Sequence, residues 1–366
     1  MLHAVAARVA RGGGGGGCWR RWWGTAAAAG GTHDAVADAR NDAVKVYVSG
    51  EYYARHEAKI SVFDSGYLVG DGVWEGVRVV RGKYVFLEQH LDRLYGNASA
   101  TAFYSLEQHY PRHRLVDILY DVLAVNGMHG ESDIHVRLMA TRGTKKTPSQ
   151  DPRLVVGGPN LVIIAERKKA NPATTQRGVR LHTAAVRRPP SDTLDARWNC
   201  HSKLHEVVAL SQALHAGADE ALMLDTSGNV ATCNATNFFC VRRRRHALPL
   251  PSKLPSPDDD RDGHVALLAK HFELLTSERH SCMNGITRGM VLTTARNAGL
   301  FVNERPFSLT DVYSAAEAFV TGSFGGITPV RAVDGRRLVG DDATSAMGVY
   351  TSFLRRLYYE AVDADV

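Results

Sequence analysis

The chain has little cysteine, five residues among 366, at positions 18, 200, 233, 240 and 282. No two form a CxxC pair and no histidine spacing completes a zinc site, which excludes a metal knot and leaves free thiols in a reducing compartment. His201 and His205 lack the carboxylate or further histidine of a metal set and read as ordinary polar contacts. Long apolar runs are missing as well: charge interrupts each hydrophobic stretch within a few residues, so none reads as a membrane span. A surplus of one charge is missing from the body of the chain. The net charge is +6, and four of those positive charges are Arg8, Arg11, Arg20 and Arg21, leaving about +2 for the rest. A body so balanced has no electrostatic footprint for nucleic acid. The run Arg242 to Arg245 is a local solvated cluster. No internal repeat is present.

What is there is the make-up of a globular protein, 44 % apolar and 22 % charged, at a length that suits two α/β domains. The opening "MLHAVAARVARGGGGGGCWRRWWGTAAAAGGTH" is Arg-rich and free of acid, and lacks the apolar core of a secretory signal. It reads as a disordered or transit segment over 1–40, addressed to a plastid or mitochondrion; without such an address the body would be cytoplasmic. An N-terminal domain follows over 44–167. "VKVYVSGEYY" alternates and turns at Ser49-Gly50, and "GVRVVRGKYVF" does the same at Arg81-Gly82. Leu87, Leu91, Leu94 and Ala98 share one helical face, and "HRLVDILYDVLAVNGM" is a second amphipathic helix stopped at Asn126-Gly127. "KKANPATTQRG", 168–178, has linker chemistry and marks the domain boundary. The C-terminal domain spans 179–366. Within it, the Pro-, Arg- and Asp-rich stretch 242–280 reads as a disordered insertion.

Several short stretches converge on one chemistry. "GDGVWEGVR" brings backbone close at Gly70, Gly72 and Gly76 and extends Arg78 from a strand, although a glycine turn with a surface arginine has the same letters. "NGITRGM" starts a helix whose free amides at Ile286 and Thr287 are a ready phosphate seat, or an ordinary N-terminus. "VTGSFGGITPV" runs a strand into small residues around Ser323, either a nest or a strand-end turn. Lys203 in "RWNCHSKLHEVV" precedes an apolar-faced helix, where a partly buried amine becomes nucleophilic; a solvated lysine is the plainer alternative. "GNVATCNATNFFCV" sets six small polar or thiol residues between a turn and a strand, as a solvated loop or a ligand wall. Together these are donors for a phosphate and an amine for an aldehyde, the needs of pyridoxal 5′-phosphate.

The stretches "FDSGYLVGDGVWEGVR", "FLEQHLDRL", "IHVRLMATRG", "SKLHEVVALSQALHAGADEALMLD", "NATNFF", "CMNGITRG" and "TGSFGGITPV" fall in the order found in the fold-type IV pyridoxal-phosphate enzymes, which the chain resembles over 45–358 apart from 242–280. That family comprises branched-chain and D-amino-acid aminotransferases and aminodeoxychorismate lyase. The resemblance implies a two-domain α+β or α/β fold, D-amino-acid aminotransferase-like, with the cofactor between the domains, a homodimer, and an amino acid and a 2-oxo acid as substrates. It implies Lys203 as the lysine of the Schiff base; Arg78, Ile286, Thr287 and Ser323 on the phosphate; Thr232 and Asn234 beside the ring; and Arg137, His135 and Phe324 for substrate. Thr232 stands where the family has a glutamate for the ring nitrogen, and Val208 where branched-chain enzymes have tyrosine. The arginine–X–histidine loop of the D-amino-acid enzymes is not evident in "TRGTKKTPSQ", which favours L-amino acids or another amine donor. The implied activity is aminotransfer, with two alternatives: an aminodeoxychorismate-lyase-like enzyme, or a catalytically degenerate cofactor binder.

Overall fold

The computed structural model describes residues 30–244, 256, 258, 260–338 and 345–366. Residues 1–29, on which most of the transit-segment expectation falls, lie outside the described residues, as do 245–255.

Two sheets organise the chain. The first has the spatial order Glu51–Ala54, Lys45–Val48, Asn160–Arg167, Ile134–Thr141, Gly72–Val80, Lys83–Tyr84, every neighbour antiparallel. Its hairpins turn where the dipeptides predict, with positive φ at Ser49-Gly50 (48° and 114°) and Arg81-Gly82 (50° and 76°), the handedness that matches strand twist. The alternation of Ile134–Thr141 sends Ile134, Val136, Leu138 and Ala140 into a core closed by Leu91, Leu94, Leu115 and Leu119 of the helices Leu87–Ala100 and Arg112–Val125. The opposite face, carrying His135 and Arg137, is left for the second domain.

The second sheet is mixed, in the order Val230–Cys233, Glu220–Leu224, Val179–Thr183, Gly326–Val333, Glu317–Gly322, Asn237–Arg243, Phe272–Thr276, Val302–Glu304. Helix Leu204–His215 covers one end, while Ile286–Asn297 and Val349–Asp365 pack on the other. All strands of the first sheet lie within 45–167 and all of the second within 179–337, with short helix Pro172–Arg177 between them.

Two stretches read as disordered differ from that expectation. From Gly30 onward the opening segment is ordered. Thr32 donates its amide (3.1 Å) and hydroxyl to the buried Glu220, Arg177 holds the Gly30 carbonyl at 2.9 Å, and Ala35–Val36 pairs with Lys169–Ala170. The part of 242–280 from Arg261 onward forms helix Arg261–His271 and strand Phe272–Thr276. Its polar letters mislead because Leu268, Phe272, Leu274 and Leu275 are buried; Asp260 caps the helix through the Gly263 amide at 2.8 Å.

Candidate active site

The cleft between the domains holds two connected chambers. The inner one, about 80 Å³, is closed by Trp74, Gly76 and Arg93 from the first domain and by Gly285, Ile286, Thr287, Thr321, Ser323 and Phe324 from the second. The outer one, about 300 Å³, is bounded by Arg188, Lys203, Glu206, Val207, Leu210 and the Thr232–Asn237 loop. His33, Trp74, Arg137, Asn199, Ala235, Asn237 and Met283 line both. A wider groove of about 580 Å³ beside Arg261, Val265 and Glu360 gathers none of these groups.

The inner chamber is built for an anion. Helix Ile286–Asn297 begins there with no side-chain cap, so its first-turn amides and the positive end of its dipole are available. Gly285 precedes it because a Cβ there would overlap the Asn237 carboxamide. The Thr321 hydroxyl is buried without a partner, and Ser323 adds a second hydroxyl. The fixed cation is Arg93. Glu75 grips its guanidinium at 2.8 and 2.6 Å, and its third nitrogen donates to the Asn284 carbonyl at 3.1 Å, just before the helix. Burial works against ionised Glu75, but Arg93 and then His90 (2.7 Å) overcome it and hold the carboxyl at about 2. A phosphate-sized group fits this donor set.

Arg78 is not among the residues that line this chamber. It stands one strand period beyond Gly76 on the same face, where it approaches Asp133 at 3.5 Å and stacks over Tyr359, and its charge reaches Tyr358, which pairs with Thr287. The arginine the sequence reading missed is Arg93, although it sits inside "FLEQHLDRL". The available signal was Glu75, a carboxylate in an otherwise apolar strand, which needs cations from the facing helix; His90 and Arg93 stand three residues apart there.

The remaining predicted residues fall into two groups. Ile286, Thr287, Ser323, His135 and Phe324 meet at the inner chamber, with the His135 and Phe324 rings edge to face. Lys203, Thr232 and Asn234 meet at the outer one. Arg137 belongs to both, its guanidinium lying 3.9 Å from the Trp74 ring centre. Desolvation in the cleft, then Lys168 and Arg137, depress His135 to about 3 and His33, which keeps part of its surface in solvent, to about 4, so both imidazoles are neutral at physiological pH. His33 also stacks near Phe324.

The polar loop is largely its own scaffold. Thr232 donates its hydroxyl to the Thr236 carbonyl at 2.9 Å, and the Asn234 side chain accepts the Ala221 amide at 2.8 Å. Thr236 donates to Glu220 at 2.9 Å, a carboxyl that burial pushes up. Thr232 therefore walls the outer chamber without presenting a charge to it.

The Amino-transferase class IV family model matches residues 72–333. The chain belongs to the class IV aminotransferase family. Branched-chain-amino-acid aminotransferase-like protein 2 of Arabidopsis thaliana is 32 % identical over 323 residues, which are 88 % of this chain and 51 % of that one. The chain thus spans about half the length of that relative. A Methanocaldococcus jannaschii protein, provisionally named a branched-chain-amino-acid aminotransferase, is 33 % identical over 80 % of this chain and 89 % of its own. Among solved structures, the branched-chain aminotransferase from Thermoproteus uzoniensis with norvaline has a TM-score of 0.69 at 24 % identity, covering 88 % of this chain and 95 % of that one. That likeness is one of fold. It agrees with the two-domain architecture expected from the sequence.

Within this class IV chain, Lys203 does not reach the inner chamber. It stands just before helix Leu204–His215, with its ammonium 3.3 and 3.4 Å from the two Glu206 carboxylate oxygens, and Glu206 is also paired with Arg188. Asn199 is one of the side chains shared by the two chambers. It is 1 % exposed and clipped to the first domain: its backbone carbonyl accepts the Trp74 amide at 3.0 Å, and its Nδ2 donates to the Trp74 carbonyl at 2.6 Å.

Proposed function

We propose that the chain is a pyridoxal-phosphate-dependent aminotransferase acting on an amino acid and a 2-oxo acid. The observation that carries this reading is the inner chamber, whose uncapped helix, paired hydroxyls and Arg93 suit a phosphate monoester. When bound, the cofactor supplies a carbonyl that takes up and returns an amino group, and a ring that draws off electrons. The chain's own residues do the rest. Arg93, the Ile286 and Thr287 amides and Ser323 would hold the phosphate. Among the described residues Arg137 makes no ion pair, and its guanidinium rests against the Trp74 ring, so it suits a substrate carboxylate. Val207, Leu210 and Met283 give the outer chamber an apolar side, which fits a branched aliphatic side chain. Lys203 is the cation beside that space and, with Glu206, is the pair able to carry a proton there. A domain closing over these groups would exclude water.

We also infer a homodimer. Tyr67 and Val69 on the short helix Ser65–Val69, and Leu204, Val207 and Val208 on Leu204–His215, are exposed, and the two segments meet where the Ser202 hydroxyl donates to the Gly70 carbonyl at 3.4 Å. An apolar patch beside the cleft mouth suits a second copy. Leu204→Glu is expected to shift the mass in solution from dimer to monomer, as read by light scattering.

The activity is tested in a single turnover. Protein mixed with pyridoxamine phosphate and 4-methyl-2-oxopentanoate is expected to form leucine and pyridoxal phosphate in equal amounts, with chiral chromatography reporting the hand. Failure to bind either cofactor form, or to transfer nitrogen to any of a panel of 2-oxo acids, overturns the proposal.

A further inference from the structure

Asn199 has one hydrogen-bonding capacity left over. Its Nδ2 is held by the Trp74 carbonyl, which also fixes which end of the amide is oxygen. The Oδ1 is buried and without a partner. A buried acceptor left unmet is costly, so a rigid one at a cavity junction marks a place where a ligand donor belongs. Asn199 borders both the phosphate-sized chamber and the larger one, so a molecule anchored in the first and extending into the second must pass it.

The lysines give no competing anchor. Lys203 is the only lysine lining either chamber among the described residues, and it lines the outer one alone, ion-paired to Glu206. Lys168 lies over the Phe324 ring, 4.7 Å from its centre, outside both linings. None of the residues shared by the two chambers is a lysine, and Asn199 offers a carboxamide, which cannot condense with an aldehyde.

We infer that this site holds its cofactor without a covalent link, as dissociable pyridoxamine phosphate, with Asn199 Oδ1 accepting from the cofactor's amine. The inference rests on the cofactor assignment made above and specifies its form. An amine donates and complements Oδ1. The aldehyde of pyridoxal phosphate only accepts, so it sets oxygen against oxygen at the same point. The chain therefore discriminates between two forms that share one phosphate and one ring.

The test uses the full chain in two measurements. Titration with pyridoxamine phosphate and with pyridoxal phosphate is expected to give tighter binding of the amino form by about tenfold, the worth of one well-placed hydrogen bond to a charged donor. Borohydride treatment of protein saturated with pyridoxal phosphate, followed by peptide mapping, is expected to leave Lys203 unmodified. Asn199→Lys, which puts an amine at the junction, is expected to gain a reducible pyridoxyl group at residue 199. Asn199→Asp keeps an acceptor and is expected to keep the preference for the amino form. A pyridoxyl group on Lys203 of the unaltered chain, or equal affinity for the two forms, overturns the inference while leaving the aminotransferase reading intact. Binding of neither form overturns both. Should Asn199→Lys fail to fold, the two measurements on the unaltered chain decide.

Discussion

At the scale of single residues, the cleft separates two arginines that its letters make look alike. Arg93 is fixed by two oxygens of Glu75 and one backbone carbonyl, so its position does not depend on ligand. Arg93→Ala removes the one guanidinium that, among the described residues, lines the inner chamber alone, and is expected to weaken pyridoxamine phosphate binding ten- to a hundredfold, about 1.4–3 kcal/mol, by calorimetry. Arg78→Ala, measured the same way, is expected to weaken binding less than Arg93→Ala, because that side chain stands outside the lining beside Asp133 and Tyr359 and reaches Thr287 only through Tyr358. Lys203→Ala separates binding from proton transfer. Its loss is expected to slow single-turnover nitrogen transfer by about 10²–10⁴ while the cofactor affinity changes little.

At the scale of elements, the start of helix Ile286–Asn297 and the Thr232–Asn237 loop are fitted to one another. Gly285→Ala leaves backbone dihedrals that any residue adopts, φ −60° and ψ 141°, but drives a methyl into Asn237. Phosphate affinity is expected to fall while the melting temperature drops by only a few degrees, about 1 kcal/mol. Periodicity made most elements legible: the leucine face of Leu87–Ala100, both dipeptide hairpins and the "GITR" helix start all follow from local rules. What escaped reading was tertiary. Arg93 gains its role from Glu75, on a strand well before it in the chain, and Asn199 from its clip to Trp74 in the other domain. Phe272–Thr276 was hidden by the polar residues before it, since composition averaged over 242–280 dilutes so short a strand. The polarity of "TCNATN" was visible, but its hydrogen bonds turn inward to Thr236, Ala221 and Glu220, a distinction the letters do not carry.

At the scale of the molecule, two imidazoles kept neutral in the cleft tie stability to acidity. Unfolded, His33 and His135 return to about 6.5, whereas folded they resist protonation down to about 4 and 3. The unfolded chain binds more protons across that interval, so stability falls as pH drops from about 6.5 toward 4. Glu75, held at about 2, adds loss only below its unfolded value of 4.5. The free energy of urea unfolding is expected to decline between pH 7 and 4.5 by about 1–2 kcal/mol, discounted because His33 keeps accessible surface, and to decline less in His135→Gln. The ordered stretch from Gly30 has a consequence for truncation. Thr32 reaches Glu220 behind the polar loop and His33 enters both chambers, so a chain shortened beyond Gly30 gives up contacts of the cleft. A cut at residue 33 would release a protein whose sheets are whole but whose cleft has lost one wall.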